Sequence, residues 1–132
     1  MSVIRNFHDL IVYQKAFEAA CRIFEISRSF PVEERYALTD QIRRSSRSVA
    51  ANIAETWAKK IYPKAFVNKL SDSFGEEMET EVWLHFCLKH KYITKNEYDL
   101  LISDYTEVRK MLTAMINNST KFTKNEKDYT DN

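Results

Sequence analysis

The sequence predicts an all-α protein, an antiparallel up-down-up-down four-helix bundle. Three observations lead there. The 132 residues hold one glycine and two prolines, so turns are scarce and helices long. Apolar residues recur at helical spacing along four separate stretches. Short links join the stretches, which sets successive helices side by side in opposite directions. A hydrophobic fraction of 44% suffices for the core of a single domain.

The first helix is expected over residues 8–29. Leu10, Tyr13, Phe17, Ala20 and Phe24 form one seam, widened by Val12, Ala16, Ile23 and Ile26. Phe30-Pro31 closes it, because the residue before a proline resists the helical conformation. Pro31 opens a second helix over residues 32–60, with Glu33 and Glu34 favouring its positive end. Pro63 breaks that helix, and Lys59-Lys60-Ile61-Tyr62 is the turn. The third helix, residues 64–89, has an inner stripe of Phe66, Leu70, Phe74, Leu84 and Leu88, with Glu77 and Glu81 falling on it. Met78, Val82 and Phe86 form a second apolar flank. Gly75 sits mid-helix at a cost of about 1 kcal/mol relative to alanine, which suggests a close backbone approach. Thr94-Lys-Asn-Glu97 reads as a capping box. It opens a fourth helix over residues 95–116, with Tyr98, Leu101, Tyr105, Val108, Leu112 and Met115 inward. Residues 1–116 thus form one bundle domain. Residues 117–132 are polar and aperiodic, and are expected to be a disordered tail.

The second helix carries the most informative pattern. Beside its apolar row of Leu38, Ile42, Val49, Ile53 and Trp57 runs a polar row of Gln41, Ser45, Ser48, Asn52 and Glu55. The polar row has the spacing of a buried seam, so it is expected to hydrogen-bond to another helix. A tight turn makes the second and third helices neighbours, and residues equidistant from the turn should lie level. That sets Arg44 beside Glu77 and Glu81, and Ser48 near Gly75. A carboxylate on an apolar stripe is costly unless paired. The expectation is a structural network: an ion pair from Arg44 to Glu77 or Glu81, continued by Gln41, Ser48 and Asn52. Nothing supplies a nucleophile, so no enzyme is expected. Glu81 and His85 are four apart, whereas a di-iron bundle uses a spacing of three, so neither metal nor cofactor is expected.

The net charge of +1 gives no global case for nucleic acid, but the charge is polarised along the chain. Arg28 to Lys69 is rich in basic residues, and Asp72 to Glu81 is acidic. Arg43, Arg47, Lys59, Lys60 and Lys64 are the candidates for phosphate contact, with Trp57 and Tyr62 near enough to stack on bases. No base-reading motif is present, so recognition of structured RNA or other nucleic acid would be of shape and backbone. Ala50, Ala54 and Ala58 make a small-residue face on the second helix. With the surplus apolar flanks, it points to homo-oligomerisation. The alternative function is a protein–protein scaffold or adaptor without nucleic-acid contact. Cys21 and Cys87 are single and distant, and are expected to pack as small hydrophobes in a reducing cytoplasm. No stretch approaches the roughly 20 apolar residues of a membrane span, so no membrane partner is expected.

Three segments carry a resemblance: FHDLIVYQKAFE, FPVEERYALTDQIRRSSRSVAANIAE and KAFVNKLSDSFGEEMETEVWL. They resemble the bacterial four-helix-bundle family encoded by intervening sequences within 23S ribosomal RNA genes, over about residues 7–116. The most specific part runs from Gln41-Ile-Arg-Arg to Asn52-Ile-Ala-Glu55. The resemblance implies a homopentameric ring with no established biochemical activity. It also implies likeness in fold to the accessory protein of diversity-generating retroelements, which partners a reverse transcriptase and nucleic acid. The chain departs from the pattern at Thr56, where the family has glycine. It departs again at Ser73-Phe74, where the family has Gly-Ser and this chain places Gly75 just after.

Overall fold

Each of the four periodic stretches forms a helix. The structure, a computed structural model, describes residues 4–123. It places α1 at Ile11–Ser27, α2 at Leu38–Ala58, α3 at Pro63–Lys89 and α4 at Lys95–Asn117, with no strand among the described residues.

Local chemistry sets the boundaries. A short 3-10 turn at Phe7–Asp9 precedes α1, closed by a capping box between Asn6 and Asp9. Leu10 then turns extended (ψ 123°), so α1 begins later than residue 8. The second helix also begins later than residue 32. Val32–Glu34 is a separate 3-10 turn, and Ala37 leaves the helical region (φ −123°, ψ −107°). Glu34 explains the interruption. Its carboxylate accepts from the Leu38 N–H at 3.4 Å and from the Tyr92 hydroxyl at 2.9 Å, tying the turn to the link after α3. Pro63 is the first residue of α3, where its missing N–H costs nothing. The capping box before α4 is formed as the sequence predicts. The Glu97 N–H donates to Thr94 Oγ1 at 3.1 Å, and the Thr94 N–H donates to Glu97 Oε1 at 2.9 Å.

α1 and α3 each pack against both α2 and α4, and the α2–α3 contact is the most extensive. The inward faces differ from the expected ones on two helices. α1 buries Val12, Ala16, Ala19, Ala20 and Ile23, whereas Phe17 is 50% exposed and Tyr13 and Phe24 are only half-buried. The alanines let α1 approach its neighbours closely, and the aromatic row is left on the rim. α3 buries Phe66, Leu70, Ser73, Glu77, Thr80, Leu84 and Cys87, a strict heptad-like row. Phe74 and Leu88 are displaced to half-buried positions.

The polar row of α2 does meet α3. The hydroxyls of Ser45 and Thr80 hydrogen-bond at 2.9 Å, both residues being buried. Ser73 Oγ donates to the Val49 carbonyl at 2.8 Å, and Lys69 meets Glu55 at 2.8 Å. All three pairs lie nearly equidistant from the Lys59–Tyr62 link. Gly75 does not make the close approach expected of it. It is exposed, and a Cβ added there would meet nothing within 4 Å. The close contact falls at Ser73 instead. Thr56, at the other departure from the family pattern, is fully buried and its hydroxyl donates to the Asn52 carbonyl at 2.8 Å.

The start of the expected tail is packed. A 3-10 turn at Ser119–Lys121 follows α4, and Phe122 stacks on Phe66 with ring centroids 6.3 Å apart. Residues 124–132 of that tail lie outside the described residues. No helix among the described residues is long and apolar enough to cross a membrane.

Candidate functional site

The basic residues singled out from the sequence gather at two places. The first is the aromatic ring of Phe24 on α1. The guanidinium of Arg43 lies 4.7 Å from its centroid, that of Arg28 5.5 Å and that of Arg47 5.7 Å. Helical spacing on α2 brings Arg43 and Arg47 to one face, and the rotation of α1 turns Phe24 toward them. Arg43 is held further by its Nε, which donates to Ser27 Oγ at 2.8 Å. The second place is the α2–α3 link. There the Lys60 ammonium sits 3.9 Å from the Trp57 ring centroid, and Lys59 and Lys64 are exposed. None of Arg43, Arg47, Lys59, Lys60 and Lys64 forms an ion pair among the described residues. Lys69, by contrast, is taken by Glu55 and Asp72.

Beside the arginines runs an apolar groove of about 580 Å³ between α1 and α2. Tyr13, Phe17, Ala20 and Phe24 form one wall, and Ala50, Ala51 and Ala54 form the other. Ala50 is buried and Ala54 half-buried, while Ala58 lies exposed further along α2. Cys21 is also exposed, on the groove's rim, and so is not the packed thiol expected. Cys87 is buried, and burial first, then the nearby Glu34 charge, pushes its thiol up to about 12. A second apolar surface lies on α3, where Met78, Val82 and Phe86 are each about half exposed.

The buried carboxylate pair exists, but its cation comes from another helix. Arg44 is exposed, and its one ion pair among the described residues is with Asp40 on its own helix, at 3.7 Å. Arg109 on α4 reaches the pair instead, with Nη1 at 2.8 Å from Glu81 Oε2 and 4.0 Å from Glu77 Oε1. Arg44 is level with the carboxylates but points away from them, because Glu77 faces the core and α4. Gln41, Ser48 and Asn52 make no side-chain hydrogen bond to α3 among the described residues. The cross-helix work of that row is done by Ser45 and Glu55. Glu77 is fully buried, and among the described residues neither of its oxygens has a hydrogen-bond partner. Its carboxyl is raised to about 9, first by burial and then by the adjacent Glu81, with Arg109 opposing. The Tyr105 hydroxyl, also buried and without a partner among the described residues, is raised by burial and by Glu77. A neutral, protonated Glu77 is what this environment favours.

The arrangement is that of a helical bundle with a polar-studded core, apolar outer faces and unpaired surface cations. The chain belongs to the 23S rRNA-intervening sequence protein family, whose pattern it matches over residues 8–114. It is also similar to a solved structure of a protein with unknown function from the S23 ribosomal protein family of Bacteroides thetaiotaomicron VPI-5482. The two share 35% sequence identity at a TM-score of 0.71, covering 80% of this chain and 98% of that one. No curated protein matches this chain. The family resemblance carried by the three sequence segments is therefore correct, and the family and its solved relative are of unknown function.

Proposed function

We propose that the protein is a non-enzymatic, homo-oligomeric bundle that binds structured RNA or other nucleic acid through its basic surface. The observation that carries the nucleic-acid reading is the set of five cations, Arg43, Arg47, Lys59, Lys60 and Lys64, without carboxylate partners among the described residues. A cation already paired gains little from a phosphate; these five are free to release counterions from a nucleic-acid backbone.

The ladder Glu55–Lys69, Val49–Ser73, Ser45–Thr80 supports opposite directions for α2 and α3. The pairs Lys15–Glu107 and Arg22–Asp104 support the same for α1 and α4, as in an up-down-up-down bundle. Two unlike apolar surfaces, the groove between α1 and α2 and the outer face of α3, support head-to-tail contact between copies, which closes into a ring. The family resemblance implies five copies in that ring. The same exposed α3 face favours a second reading, a protein–protein scaffold without nucleic acid. The two free cysteines fit a reducing cytoplasm.

The test is the salt dependence of RNA binding. Arg47, Lys59, Lys60 and Lys64 are replaced together by glutamine; Arg43 stays because Ser27 and Phe24 hold it in the structure. The slope of log affinity against log salt should flatten by about 0.7–0.9 for each phosphate-binding cation removed. An unchanged slope would refute the assignment.

A further inference from the structure

The corner where α1 turns toward α2 holds a second cationic feature, one that goes beyond the proposed nucleic-acid surface and shares only Arg43 with it. A cleft of about 320 Å³ opens there, and Arg28, Arg35 and Arg43 are among its walls. No carboxylate lines it among the described residues. Thr39, in the first turn of α2, is 7% exposed and also lines the cleft. Its Oγ1 is buried without a hydrogen-bond partner among the described residues. An orphaned buried hydroxyl is costly and calls for an explanation.

We propose that this cleft binds a phosphate group. The three guanidiniums offer planar forks that match tetrahedral oxyanions and carry charge at any physiological pH. Arg43 is already oriented for such a ligand. Its Nε is fixed on Ser27 and its plane lies against Phe24, which leaves both Nη groups for the phosphate oxygens. The Thr39 hydroxyl, just behind the wall, becomes a neutral donor to the phosphate once its side chain rotates toward the cleft, and the positive end of α2 adds to the field. The N-cap of α2, Ala37, offers no side-chain acceptor, and Glu34 takes the first amide of the helix, that of Leu38. Three carboxylates oppose, none of them lining the cleft: Glu34 sits on the Leu38 N–H, Asp40 lies in the first turn of α2, and Glu25 lies 3.5 Å from Arg28 in an exposed, weak pair on one helix. The phosphate has two sources of the same chemistry, a free phosphorylated small molecule or a nucleic-acid backbone.

The full chain is titrated with inorganic phosphate at constant ionic strength, following the amide resonances of Arg35 and Thr39. The shifts should saturate at one phosphate per chain. Arg35→Gln and Thr39→Val should each weaken binding by about tenfold or more, as loss of a charge-assisted or buried hydrogen bond does. Thr39→Ser, which keeps the hydroxyl, should bind like the parent. Thr39→Val removes only an unpartnered group, so it retains the fold. Shifts that never saturate, or variants that bind like the parent, would overturn the proposal. Competition between phosphate and RNA would assign the site to a backbone phosphate; phosphate binding without competition would assign it to a small molecule. Neither Arg35 nor Thr39 belongs to the set replaced in the RNA salt test. An unchanged slope there leaves this site standing, and the reverse.

Discussion

Glu77 concentrates the chemistry of this core in one side chain. It is fully buried beside Glu81 and Tyr105, with Arg109 4.0 Å away. Its carboxyl titrates above the ordinary value of 4.5, so the folded protein keeps a proton that the unfolded chain releases. Its contribution to stability is full below about pH 4.5 and is lost as the pH rises toward 9. Urea unfolding of the parent should therefore show stability falling by up to about 1 kcal/mol per pH unit between neutral and mildly alkaline pH, relative to Glu77→Gln. Parallel pH curves for the two proteins would show that Glu77 is ionised in the core. The sequence made the problem legible, since a carboxylate on an apolar stripe must be answered. It pointed to the wrong cation. Height along the bundle follows from the tight turn, but the angle around α3 does not. The link after α3 is also short, and the same levelling applied across it would bring Arg109 within about a turn of Glu77.

At the scale of the element, sequence periodicity located every helix and blurred which face turns inward. α1 carries apolar residues over so wide an arc that two rotations satisfy it. The one adopted buries Val12, Ala16, Ala19 and Ile23, because alanines permit close packing, and leaves Phe17 and Phe24 to line a groove. On α3 the inner row keeps heptad spacing, whereas a count at the straight-helix period drifts off it toward Phe74 and Leu88. The first turn of α2 was illegible for another reason. Its interruption depends on Glu34 reaching Tyr92, far along the chain. Gly75 provides a test of the assigned α3 face. It shares an outward arc with Met78 and Val82, and space surrounds it within the chain. Gly75→Ala should raise the unfolding free energy of the dilute chain by about 0.5–1 kcal/mol, through helix propensity alone. A loss of stability would mean that the backbone at Gly75 is closely approached within the chain.

On the scale of the molecule, the inner and outer surfaces do different work. Inside, Ser45, Thr80 and Ser73 place hydrogen-bonding groups among aliphatic side chains, which fixes one register between α2 and α3. Outside, an apolar groove, an apolar α3 face and unpaired cations lie on one small bundle. The surplus of apolar flanks was legible in the sequence, and so was the basic excess from Arg28 to Lys69. The gathering of three arginines on Phe24 was not, because it follows from the rotation of α1. Exposed apolar surface of two unlike shapes is costly in water and is relieved when copies cover one another.

The assembly is tested most directly by light scattering after size exclusion, on the parent and on a Phe17→Glu, Phe86→Glu variant, each with and without nuclease. The parent should give a mass several times the 15.6 kDa of one chain, nuclease should leave that mass of protein intact, and the variant should fall to 15.6 kDa with its helices retained. A parent that elutes as a single 15.6 kDa chain would contradict the account.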